Sequence, residues 1–148
     1  MSPKNIEYLF KESFIMKLLI IHGPNLNLLG LWSSKKGSKV TLDKVNKHIR
    51  KHVRDKNIEV KIMQTHEENK AVKYIQNNRK KIDGIILVPG TWQYNAYTLS
   101  ELLDLIGIPF ITIIYKEKDY VKLLNGKDNI TNEDLYLAFE NALDYFLK

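Results

Sequence analysis

The stretch LLIIHGPNLNLLGLW, residues 18–32, runs from solid apolar residues into a loop holding Pro24, Asn25, Asn27 and two glycines. Asn25 can donate and accept hydrogen bonds toward a ligand. Alternatively, asparagine and glycine simply make a turn and cap local backbone groups. A second stretch, VPGTWQYNA at 88–96, sets Trp92 and Tyr94 behind Pro89 and Gly90. The Trp92 indole can stack on a ligand or plug a site that once held one. A phenol such as Tyr94 or Tyr97 needs activation to act as a base near neutrality, because its ordinary pKa is about 10. Lys35, Lys36 and Lys116 supply cations, as point charges on flexible stems.

Metal chemistry finds weaker footing. His66, Glu67 and Glu68 are consecutive and cannot all face one ion, and acids at a helix start are expected from the helix dipole. His48 and His52 are four apart, a good ligand spacing, yet they lie on a polar helix face with no third ligand in view. His22 continues a strand into the loop and reads as a packing or capping residue. The chain has no cysteine, which removes disulfides and thiolate chemistry and fits a reducing compartment. The expectation is no metal and no cofactor.

These residues need elements to position them. KLLIIH after Met16 is a continuous apolar run, as for a strand buried on both faces. Leu42, Val45, Ile49 and Val53 predict a helix after an N-capping Thr41. IEVKIMQ alternates as a second strand, and Val72 and Ile75 mark a weaker helix ending before Asp83. GIILVPG is a third strand, followed by a helix through Leu99, Leu102, Leu103 and Ile106 that Gly107 and Pro109 stop. FITIIY is a fourth. Only the fragment Asn129-Ile130 suggests a fifth, and a last helix is expected from Thr131, with a capping box closed by Asp134. Alternation of this kind predicts an α/β fold: an open, doubly wound parallel sheet of four strong strands, the fifth weak or absent, with helices on both faces. Ligands then bind beyond the carboxyl ends of the strands.

Residues 1–15 read as an extension, with Ile6, Leu9, Phe10 and Phe14 at the spacing of a short amphipathic helix; residues 16–148 read as one domain. The extension lacks the apolar core and cleavage site of a secretory signal. At 148 residues, 44% hydrophobic and 27% charged, the composition is that of one globular domain. No apolar run approaches the roughly 18 residues of a membrane span, so no membrane partner is expected and the cytoplasm is the default location. The net charge of +6 is spread over several helix faces without a nucleic-acid-binding motif. It fits an anionic small molecule or plain solubility better than DNA or RNA. Neither phosphate-binding glycine pattern, G-x-G-x-x-G or G-x-x-x-x-G-K-[ST], is present.

HGPNLNLLG, residues 22–30, resembles the amino-terminal signature G-P-N-x-x-x-L-G of the type II 3-dehydroquinate dehydratases. The similarity continues more loosely through Thr41-Leu42, QTHEE, Pro89-Gly90 and IPFITI, covering about residues 16–117. The resemblance implies a flavodoxin-like fold and a lyase of the shikimate pathway, toward aromatic amino acids. The family reaction removes water from 3-dehydroquinate through an enolate, giving 3-dehydroshikimate without metal or cofactor. Its base is a lid tyrosine in R-x-P-x-x-Y-G, held as phenolate by the arginine, while a first-loop asparagine supports the enolate. By that resemblance Asn25 is the catalytic asparagine, and Gly23, Pro24, Leu29 and Gly30 belong to the loop that positions it.

Elsewhere the pattern departs. The lid segment reads LWSSKKGSKVTL, with Trp32 at the arginine, Ser34 at the proline, and Lys36 or Gly37 at the tyrosine. Val88 stands at a substrate-binding asparagine and Tyr94 at a histidine; Ile114 and Lys116 stand at the histidine and serine of the fourth loop. No arginine follows Arg79, so the carboxylate-binding arginine is gone as well. Two expectations follow. One is a non-catalytic or repurposed relative, keeping the fold and a first-loop ligand for binding or assembly. The other is a divergent but active dehydratase in which Tyr94 substitutes. Under either, the candidate binding residues are Gly23, Pro24, Asn25, Trp92 and Lys36, the ligand is a small anionic polyol acid, and the resemblance implies a homo-oligomer of trimers assembled into dodecamers.

Overall fold

The computed structural model describes residues 14–115 and 122–147. The expected helix through Ile6, Leu9 and Phe10 lies outside the described residues, as does Lys116. Strand β1 (Met16–His22) sits inside the sheet, flanked by β2 (Ile58–Gln64) and β3 (Gly84–Val88); β4 (Phe110–Ile114) and β5 (Asp128–Thr131) follow. The order is β2-β1-β3-β4-β5 and each pairing is parallel. This is the flavodoxin-like order, whose direction of winding reverses between β1 and β3.

Burial follows from position. Residues 18–22 of β1 and all of β3 are buried, because helices cover both of their faces, and this is why they carry no alternation. At the edge, β2 does alternate. β5 is a short strand with only Asn129 and Ile130 half-buried, in register with Thr112 and Ile113. On one face Leu18 and Ile20 meet α2 (Leu42–Val53) and α6 (Leu135–Leu147) through Val45, Ile49, Phe139 and Leu143. On the other, Leu19 and Ile21 meet α3 (Glu68–Asn78) and α5 (Tyr97–Ile106) through Ala71, Ile75 and Leu99.

Thr41 caps α2 as its type predicts, its hydroxyl accepting from the Lys44 amide at 3.2 Å. The last helix begins later than the capping-box pattern indicates. Thr131 is consumed as the end of β5, paired with Ile114, and Asp134 is the cap instead, accepting from Leu137 N at 3.3 Å while Asn132 Oδ1 accepts from Asp134 N. Two short helices were not legible as helices: α1 (Leu29–Lys35), within the segment read as a lid, and α4 (Trp92–Asn95) after β3.

Candidate functional site

The loops after β1 and β3 meet at the point where the winding reverses. Gly23 N donates to Val88 O at 2.8 Å, and Gln64 Nε2 donates to Gly23 O at 3.2 Å. A Cβ at Gly23 would lie 2.7 Å from Val88 O and 2.9 Å from Pro89 O, so only glycine lets the two loops close together. Gly90 faces Pro24 with a φ of +54°, a conformation that side chains resist.

Asn25 follows at φ 69°, the one positive φ outside glycine among the described residues. Asparagine tolerates this conformation better than other side chains, which accounts for its type on backbone grounds. Its N–H donates to His66 Nδ1 at 3.1 Å, so the His66 proton sits on Nε2. The Asn25 side chain is exposed and caps nothing, just past the carboxyl end of β1.

His22, at the end of β1, is fully buried. Its Nε2 lies 2.9 Å from Asn46 Oδ1, which makes Nε2 the protonated nitrogen, and its ring meets Phe139 edge-on at 5.4 Å. Nδ1 is buried with no partner. Desolvation lowers the pKa to about 4, and the bond to Asn46 only partly opposes that. The imidazole is therefore neutral near pH 7 and holds α2 against the end of β1.

In the β3 loop, Trp92 is 4% exposed and packs in the core cluster that holds Ile21, Leu99 and Leu124, with no open face for stacking. Tyr94, two residues on, is 42% exposed, with Lys122 Nζ 5.1 Å from its ring centre. Tyr97 is exposed as well. Gln93, which sequence reasoning passed over, is the buried clamp between them. Its oxygen accepts from Lys122 N at 3.0 Å and Leu124 N at 2.8 Å, while its Nε2 donates to Leu124 O at 2.9 Å. Glu68 Oε2 accepts from Leu99 N at 3.1 Å, tying α3 to the first turn of α5.

The segment read as a lid is helical through Lys35, and a side-chain clamp holds the turn that follows. Ser33 Oγ donates to Val40 O at 2.8 Å and accepts from Val40 N at 2.7 Å, drawing 33–40 into a closed loop. Trp32 turns inward, its ring edge-on to buried Tyr115 at 5.4 Å, and Lys36 Nζ rests 5.7 Å from the same indole. Val88 and Ile114 are buried apolar side chains. Between α1 and the start of α6 opens a groove of about 430 Å³, lined by Leu29, Trp32 and Lys36 on one wall and Glu133, Asp134 and Tyr136 on the other. Lys36 thus lies in a groove whose lining includes none of Gly23, Asn25, Trp92 or Tyr94.

His48 and His52 face α6. His48 Nε2 is 3.1 Å from Glu140 Oε1, and His52 Nε2 is 2.9 Å from Asp144 Oδ1. His52 Nδ1 also lies 3.8 Å from Glu140 Oε1, yet among the described residues no three His, Cys, Asp or Glu side chains are grouped to hold a metal ion. No helix among the described residues is long and apolar enough to cross a membrane.

An open parallel sheet with this order, and glycine-tightened loops at its winding reversal, defines a doubly wound α/β protein, a class whose ligands bind where the winding reverses. The family model described as "Dehydroquinase class II" matches residues 16–117. A 3-dehydroquinate dehydratase of Dictyoglomus turgidum is 34% identical over 110 residues, 72% of this chain and 76% of that protein. One from Halothermothrix orenii is 32% identical over 108 residues, 70% and 73% of the two chains. In three dimensions, a type II dehydroquinase from Butyrivibrio crossotus superposes with a TM-score of 0.81 at 23% identity, covering 90% of this chain and 99% of that one. A 3-dehydroquinate dehydratase-like protein from Bifidobacterium longum gives 0.68 at 18%, covering 90% and 99%. This chain belongs to the type II dehydroquinase family.

Proposed function

We propose that this family member keeps the fold and first loop of a type II dehydroquinase without its dehydration chemistry, and serves to bind a small anionic polyol acid or to assemble. The observation that carries the reading is α1. Where the family's lid supplies arginine and tyrosine, this chain supplies Trp32, packed on Tyr115, and Lys36, beside the indole. Val88 and Ile114 replace polar groups with buried apolar ones. A general acid or base contributes roughly 10² to 10⁴-fold each, so losing base, acid and carboxylate anchor together removes most of the family's acceleration. Asn25, exposed at the sheet edge, is the inherited polar contact, and the net charge of +6 suits an anion. A homo-oligomer and a cytoplasmic location complete the proposal.

The competing reading is an active dehydratase using Tyr94, which stands exposed after β3 with an ammonium over its ring. The test is 3-dehydroshikimate formation from 3-dehydroquinate, followed by absorbance at high enzyme concentration, with Asn25→Ala and Tyr94→Phe alongside. The proposal expects no turnover above buffer from folded protein. Turnover that collapses in either variant would establish the competing reading.

A further inference from the structure

The groove between α1 and α6 is lined by two acidic side chains in a chain whose net charge is +6. Glu133 and Asp134 form one wall, and neither makes an ion pair among the described residues. Opposite stands Trp32, whose ring face already draws a cation: Lys36 Nζ sits 5.7 Å from its centre, within the roughly 6 Å reach of a cation–π contact. Leu29, buried, and Tyr136, half-buried, give the groove an apolar and aromatic body. From this arrangement we propose that the groove binds a small organic cation carrying a flat ring, an aryl-alkyl ammonium. Lys36 is its intramolecular stand-in, and it is an exposed side chain able to swing away.

The charge balance decides between a cation and an anion. The start of α6 contributes about half a positive charge, and Lys36 a full one. Against them stand two carboxylates, one of which, Asp134, already caps α6 by accepting from Leu137 N. With Lys36 displaced the groove carries a net negative charge, and an anion entering it would face both acids. The aromatic ring fits along Trp32 and Tyr136 while the ammonium takes the place of Lys36 Nζ over the indole, in the groove that both carboxylates line. The inference rests on the preceding reading in one respect only, that α1 presents Trp32 and Lys36 where the family presents arginine and tyrosine.

Tyramine is the probe, titrated into the full chain while amide NMR shifts are followed in α1 and residues 133–136. Tyrosol, its neutral analogue, and shikimate, a cyclic polyhydroxy carboxylate, serve as comparisons. Tyramine should saturate these shifts, and tyrosol should bind at least fivefold more weakly. Glu133→Gln with Asp134→Asn should lose about tenfold in affinity, since each exposed charge pair is worth severalfold; asparagine keeps the helix cap. Trp32→Phe, which preserves an aromatic against Tyr115, should lose about threefold, and Lys36→Ala should gain affinity. No saturable shift, equal binding of tyrosol, an unaffected double variant, or tighter binding of shikimate at these residues would overturn the assignment. Turnover of 3-dehydroquinate by the same samples would bear on the preceding reading alone.

Discussion

His22 makes the stability of this fold depend on pH in a way that can be worked out. In the native state its pKa is lowered to about 4 by burial, whereas in the unfolded chain it takes the ordinary histidine value of about 6.5. A base with a depressed native pKa binds fewer protons folded than unfolded, so stability rises with pH. The contribution is fully present above about pH 6.5, is lost as the pH falls, and is gone near pH 4. Between pH 7.5 and 4.5 the loss is about 2.5 kcal/mol, since each tenfold difference in proton affinity between the two states is worth about 1.4 kcal/mol. Since a whole domain is stable by roughly 5–15 kcal/mol, this is a measurable share. The perturbation is His22→Gln, which keeps a side-chain amide able to donate toward Asn46 and cannot titrate. Urea unfolding of both proteins at several pH values gives the difference in stability, in which every contribution the two proteins share cancels. The wild-type advantage should shrink by about 2.5 kcal/mol from pH 7.5 to 4.5. Parallel curves for the two proteins would refute the claim that a buried neutral imidazole anchors β1 to α2.

The remaining predictions concern the loops. At Asn25, whose φ is 69°, glycine should be tolerated or slightly stabilising, while alanine should cost about 1 kcal/mol, read by thermal melting. Equal cost for both would remove the backbone account of this residue. Gln93→Leu should destabilise by about 3 kcal/mol, because the backbone of Lys122 and Leu124 loses its partners in a buried setting. Hydrogen exchange at Leu124 N–H should accelerate in the same variant, and unchanged protection would contradict the clamp.

How far the sequence could be read depended on the range of the interaction involved. β1, β3, α2 and α5 were legible because their signals are local: solid apolar runs, a threonine cap, a stopping glycine. Thr131 shows the limit of local reading. Thr131 and Asp134 fit a capping box, but pairing of Thr131 with Ile114 places the chain in β5, and the cap passes to Asp134. Around α1 the turn-like residues Gly30, Ser33 and Ser34 hid a helix that is held by the Ser33–Val40 clamp. Gln93 reads as an ordinary polar residue until the chain returns 31 positions later to receive it. His48 and His52 meet Glu140 and Asp144 across 92 positions, a separation that no spacing pattern registers. The loop that holds Asn25 was legible from its glycines, whereas the groove beside Lys36 depends on α6 arriving next to α1 and has no signature in either segment.

If the base has been lost from an inherited fold, removal of a proton from the substrate is lost with it. Elimination through an enolate begins at the carbon beside the ketone, so an active base would exchange that hydrogen with solvent even if later steps were slow. Protein and 3-dehydroquinate are incubated in D2O and the substrate signal is followed by proton NMR. Exchange should be no faster than in buffer without protein. Faster exchange that disappears in Tyr94→Phe would contradict that loss and make Tyr94 the base.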